Sequence, residues 1–303
     1  AGSFKPTGTL PQGATATTLP NGLTFITIPW ESPGVVAYYS LVEVGVRDET
    51  SPQDAGLAHL LEHLLFRGTK NMSEAAYNAA IQSMGADNGA FTEQDFTLYT
   101  VTAPSSSIKD LVRIESDRLS NPSFTQAQFQ AEAKAVLGEY KQNSSTPLLK
   151  LWESLSDLAF KTHPYAHTVL GSEKHIQAMP SHYKTVQTFI QNFYTPDNTT
   201  IIVVGDVNHR EVLPSIQTHY GSWTGTRKNR ERITEPAQTK AQQNLTYWPA
   251  KLPPILAVGY RVPGAAKATI EKPSDLYTPA ALHLIQKLLF DPGADFYQDG
   301  VKK

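Results

Sequence analysis

The chain contains no cysteine. Disulfides and thiolate metal sites are therefore excluded, and any metal must sit on His, Asp or Glu. No apolar run approaches the roughly 20 residues that a membrane-spanning helix needs. Charge of one sign is not in excess either: 26 basic against 28 acidic residues give a formal charge of −2. No stretch concentrates Lys and Arg against aromatics, which argues against a nucleic-acid partner. The opening Ala1-Gly2-Ser3-Phe4-Lys5-Pro6 lacks the apolar core of a signal peptide. A cysteine-free chain suits an exported bacterial protein, so the expected location is periplasmic or secreted, with mitochondrial and cytoplasmic locations left open.

What is present is enough for a sizeable core: 303 residues, 40% of them hydrophobic, or one large or two medium domains. Residues 1–13 are rich in Gly, Pro and Thr and read as a loose tail. The β-branched and aromatic runs Leu23–Ile28 and Val35–Val44 predict strands, as do Phe96–Thr102 and the wholly apolar Thr199–Gly205. Ser51-Pro52-Gln53-Asp54 predicts a helix start, with Ser51 as N-cap and Pro52 at the first position. That helix is expected to run through Leu65 and stop at Gly68. Further helices are expected over 74–84, 107–119, 126–143, 148–161 and 179–193. Helix and strand alternate irregularly, which predicts an α+β fold: a mainly antiparallel sheet packed with helices.

The polar stretch 226–243 reads as a linker that closes a first domain of residues 14–225. After it the pattern repeats. Leu245-Thr246-Tyr247 echoes Leu23-Thr24-Phe25, and Leu282–Phe290 echoes Ala58–Phe66 at an offset of 224 (283 − 59). Residues 244–303 are expected to begin a second, homologous domain. There Gln286 and Lys287 replace Glu62 and His63, so the copy would be degenerate, without metal chemistry. By analogy with the first domain the second is expected to be truncated at Lys303.

The chemistry concentrates at His59-Leu60-Leu61-Glu62-His63. Two histidines four apart share one helix face and can share one metal. Glu62 flanks that face, where a carboxylate can take a proton from a metal-activated water. By composition such a string should arise by chance only ~0.01 times in a chain this size. A solvated His/Glu face on an amphipathic helix is the alternative that the string alone leaves open. A third ligand is needed, and Glu132 and Glu139 share a face of one helical run, two turns apart. One can ligate while the other supports it, although alone they are equally a surface stripe. His163 and His167 have metal-like spacing with Pro164 between them, and the expected role is structural rather than a second metal. His175, His182, His209, His219 and His283 show no constellation.

Gly56–Thr69 around this motif resembles the pitrilysin/insulinase family of zinc peptidases, the inverzincins. That family includes mitochondrial processing peptidases and bacterial zinc proteases. Further matching segments are Gly85–Tyr99, His163-Pro164-Tyr165 and Phe193–Asn198 leading to Gly205-Asp206. The resemblance implies a Zn²⁺ ion on His59, His63 and Glu139, since 139 − 63 is 76, the family's spacing. It implies Glu62 as catalytic base and Glu132 as the supporting carboxylate. It also implies a substrate-pairing strand at Gly89-Ala90-Phe91-Thr92, where Gly89 replaces the family's Asn and Asn88 precedes it. The family's Arg and Tyr that reach the substrate carbonyl would lie beyond Lys303.

The function so implied is a zinc-dependent endopeptidase acting on extended peptides or unfolded segments. Its expected assembly is a homodimer or a pairing with a second related subunit. The competing class is a non-catalytic or weakly active scaffold subunit that needs a partner chain, and zinc content together with peptide cleavage separates the two.

Overall fold

The computed structural model describes residues 10–230 and 233–261, nearly all within one compact unit, Pro11–Gly259. The strands are β1 (Thr15–Thr18), β2 (Thr24–Pro29), β3 (Val35–Val42), β4 (Asp87–Thr92), β5 (Thr97–Pro104) and β6 (Thr199–Gly205). The helices are α1 (Leu57–Leu64), α2 (Glu74–Ser83), α3 (Ile108–Ser120), α4 (Gln126–Ser144), α5 (Pro147–Ala159), α6 (Glu173–Ala178), α7 (Tyr183–Phe193) and α8 (His209–Tyr220).

The six strands form one sheet in the order β1-β2-β6-β3-β5-β4. Strand β2 pairs with β6 in parallel, and every other pairing is antiparallel. The fold is α+β as expected, with a sheet that is mixed through that one pairing. Alternate residues of the inner strands enter the core: Val36, Tyr38, Ser40 and Val42 on β3, and Thr97, Tyr99, Val101 and Ala103 on β5. The period of two follows from the pleat. Strand β4 sits at one edge of the sheet.

Sequence and structure differ most at the start of α1. Pro52–Asp54 forms only a 3₁₀ turn, and α1 begins at Leu57. Between them Gly56 adopts φ +89°, outside any helix, and a Cβ there would lie 2.9 Å from the Leu170 carbonyl. Close approach of the 167–171 loop, a tertiary contact, thus resets the helix start. The long helix 126–143 comes out as α4, with Thr125 closing a capping box through Gln128. Strand β1 and helices α6 and α8 had no expected counterpart; Pro214 inside α8 disguised its helical pattern.

Residues 226–261 carry no regular structure among those described, and Leu245–Tyr247 forms no strand. Arg230 nevertheless places Nε 2.8 Å from Asp48. Glu235 accepts the backbone N–H groups of Lys161, Thr162 and His163, each at 2.8 Å, and these hold its carboxyl down at about 2. The repeat over 282–290 lies outside the described residues.

Candidate metal centre

Helix α1 buries Leu57, Leu60, Leu61 and Leu64 in the core. That anchoring leaves His59, Glu62 and His63 along the flank that α4 covers. His59 and Glu62 are each 8% exposed, and the two imidazole rings lie 4.8 Å apart between centroids. Glu139 arrives from α4 with Oε2 at 3.6 Å from Nε2 of both His59 and His63. One turn pair earlier on α4, Glu132 places Oε2 3.5 Å from His63 Nδ1, on the far side of that ring. Arg67 holds the other Glu132 oxygen at 2.8 Å and Glu74 at 2.8 Å. Glu62 Oε2 accepts the Thr92 hydroxyl at 2.6 Å.

The electrostatics divide these groups. Burial, with His63 beside it, pushes His59 down to about 4, so its imidazole is neutral. The Glu132 carboxylate at Nδ1 holds His63 above the ordinary value, against the opposing effect of burial. The same contact, with Arg67, keeps Glu132 below the usual carboxylate range. Burial raises the Glu62 carboxyl, and the Thr92 hydrogen bond partly offsets this. A carboxylate moved upward toward neutral pH is a better general base than an ordinary one.

A four-coordinate metal with ligand bonds of roughly 2.0–2.1 Å needs donor atoms about 3.3–3.5 Å apart. One ring nitrogen each of His59 and His63 and one Glu139 carboxylate oxygen lie within 4.8 Å of one another, the only such group among the described residues. Two of the separations, at 3.6 Å, are already close to that requirement. The donor set of two imidazoles and one carboxylate suits zinc with an open fourth position. The residues present therefore fit the ion.

Gly89, Ala90, Phe91 and Thr92 all lie on edge strand β4. Phe91 is exposed and stands 6.1 Å from the Phe96 ring. At Gly89 a Cβ would meet only Thr100 Oγ1, at 3.6 Å. Asn88 turns its amide toward the Tyr77 hydroxyl at 3.4 Å. Thr92, expected on the substrate strand, also holds Glu62, a link no sequence spacing signals. Two other histidines serve the fold: His163 Nδ1 accepts from Tyr165 N at 3.2 Å, and His209 bridges Thr17 and Thr27 at 2.9 Å each. His283 lies outside the described residues. Sequence reading missed Arg67 and the buried Glu49. Arg67 follows the end of α1, so helical spacing did not mark it.

Comparisons with known proteins now bear on this geometry. Residues 34–173, which hold every member of the cluster, match the model for insulinase, peptidase family M16. Residues 182–302 match the peptidase M16 inactive domain. The chain belongs to the M16 insulinase family. It is 28% identical to zinc protease PqqE of Helicobacter pylori over 81% of this chain and 56% of that protein. It is 29% identical to a probable mitochondrial-processing peptidase subunit beta of Schizosaccharomyces pombe, over 71% of this chain and 46% of the other. A solved protease structure from Helicobacter pylori superposes with TM-score 0.70 at 27% identity, covering 74% of this chain and 54% of that one. The chain thus spans about half the length of these relatives. A family of zinc proteases implies a metal and a peptidase function. No helix among the described residues is long and apolar enough to cross a membrane.

Proposed function

We propose that the chain is the zinc-binding part of a metalloendopeptidase, with His59, His63 and Glu139 as ligands and Glu62 as general base. The observation that carries this reading is the convergence of both Nε2 atoms on Glu139 Oε2, at 3.6 Å each, beside a buried carboxylate. Zinc, when bound, supplies Lewis-acid polarisation and lowers the pKa of a water to about 7. Glu62 accepts that water's proton as it attacks the scissile carbonyl, then delivers it to the leaving amine nitrogen. Thr92 keeps Glu62 Oε2 engaged, so the other oxygen is the one free to move the proton. Glu132 fixes the His63 ring by its Nδ1, which leaves Nε2 toward Glu139.

The substrate is an extended peptide or unfolded segment laid along the outer edge of β4 as an added strand. The protein works as a homodimer or with a second related subunit, and its site of action is the periplasm or the exterior of a bacterial cell. Cell fractionation and light scattering test those two statements; a cytosolic monomer would contradict them. The catalytic reading is tested by metal analysis and cleavage of an unfolded protein substrate. One zinc per chain with cleavage lost in Glu62→Gln supports it. Folded protein with neither zinc nor cleavage would leave the scaffold subunit as the reading.

A further inference from the structure

We propose that Glu49 is a positioning residue for the metal helix, acting on His59 through the backbone of the first turn. This rests on the zinc reading above. Helix α1 opens on Gly56, which has no side chain with which to cap it. The first N–H groups of any helix need outside acceptors. Glu49 supplies them from seven residues upstream: Oε2 accepts Gly56 N–H at 2.9 Å and Oε1 accepts Ala58 N–H at 2.8 Å. Its side chain is 0% exposed, and a carboxylate at the positive helix end is favourably placed.

A second contact closes on the same turn. Gly56 and Gly171 both adopt positive φ, +89° and +79°, and their backbones meet with no room for side chains. A Cβ on Gly171 would lie 2.8 Å from the Ala55 carbonyl. From this loop His167 sets Nε2 3.5 Å from Glu49 Oε2 and Nδ1 3.0 Å from the Thr168 carbonyl. The turn that leads into His59 is therefore gripped by the carboxylate on one side and the 167–171 loop on the other.

The two histidines show why this grip matters. His63 has its Nδ1 faced by Glu132. His59 Nδ1 is buried with no hydrogen-bond partner among the described residues. No side chain among the described residues orients the His59 ring through that atom, so its aim depends on the backbone that carries it. Glu49 holds the N–H of the residue immediately before it. The usual outer support of a metal-binding histidine is replaced here by a clamp on the helix.

The test is the zinc dissociation constant of the full chain, measured by competition with a chromogenic chelator below the unfolding transition. Glu49→Gln keeps the shape but sets an amide NH₂ against a backbone N–H. It should stay folded by circular dichroism and bind zinc about tenfold or more weakly, as loss of outer support does elsewhere. Glu49→Asp keeps the carboxyl group and shortens its reach, and should also weaken zinc binding; it carries the test where the glutamine variant fails to fold. Val212→Ala on α8, a core change on a helix that packs against α3 and β2, serves as control. It should lower thermal stability and leave zinc affinity unchanged. Folded Glu49 variants with wild-type zinc affinity would overturn the proposal, as would an equal loss in Val212→Ala. Wild-type protein that binds no zinc would instead overturn the metal reading on which the proposal stands.

Discussion

Helix α1 gives seven of its eight residues to the interior, whereas α4 buries five of nineteen. The first is capped from a distance by Glu49, the second by its own Thr125 and Gln128. The side chains they bring to the centre differ accordingly. His59 is 10% exposed as a side chain and Glu139 is 37%. The proposed metal site thus has one imidazole, His59, built into the core, while His63, at 29%, and Glu139 lie nearer the surface. On the proposed reading α1 supplies the base and two ligands, and α4 completes the coordination.

Substitutions on the two helices should separate these parts. The largest effect belongs to Glu62→Gln on α1. An amide cannot accept a proton, so turnover should fall by roughly 10²–10⁴-fold while zinc stays bound. Residual activity near wild type in a cleavage assay would remove Glu62 as the base. Next is Glu139→Gln on α4, which should weaken zinc binding by more than about tenfold. It should change the stability of the metal-free protein by only about 0.5 kcal/mol, as surface substitutions do. Chelator competition and thermal melts read the two quantities on one sample. A large stability loss would mean that Glu139 does more than complete the coordination.

Arg67→Ala should come third. It frees Glu132 Oε1 from its 2.8 Å ion pair and loosens the carboxylate at His63. The expected cost in zinc affinity is about tenfold, at the low end of the range for outer support. Unchanged affinity would show that Glu132 holds its place unaided.

The same asymmetry sets the pH response. On the proposed reading zinc takes the imidazoles in their neutral form, so protons would compete with it. His63 sits above its ordinary 6.5, whereas His59 has fallen to about 4. As pH falls, His63 gains its proton first, in a window that opens above 6.5. Zinc affinity should then drop by about tenfold per pH unit, one proton's worth, with His59 adding its proton only near pH 4. Zinc titrations across this range check the slope; two protons taken up together near neutrality would contradict it. The smallest effect is expected from Gly89→Asn on β4. A Cβ there meets only ordinary contact, so stability and zinc binding should hold within error while peptide KM shifts by a few-fold.

The comparison also explains what could be read from sequence. The bounds of α4 were legible because its cap, its face and its end are local. The inner strands were legible through their alternation. The start of α1 was not, because a glycine contact with Leu170, remote in sequence, and a carboxylate at Glu49, seven residues upstream of Gly56, decide it. His59, Glu62 and His63 stood out by type and spacing, whereas Glu132 and Glu139 were separated from a surface stripe, and roles given to all five, only through the family resemblance. The Thr92 hydroxyl on Glu62 joins residues 30 apart, and no periodicity encodes it. Strand β4 was visible only through family resemblance, since Asp87-Asn88-Gly89 has little strand propensity.

The most direct test is a crystal structure of the zinc-loaded protein with anomalous data collected on both sides of the zinc absorption edge. The account predicts a single strong peak bonded to Nε2 of His59, Nε2 of His63 and one oxygen of Glu139, with the unbound Glu62 carboxylate beside it. A peak that omits Glu139, or that takes Glu62 as a ligand, would contradict it.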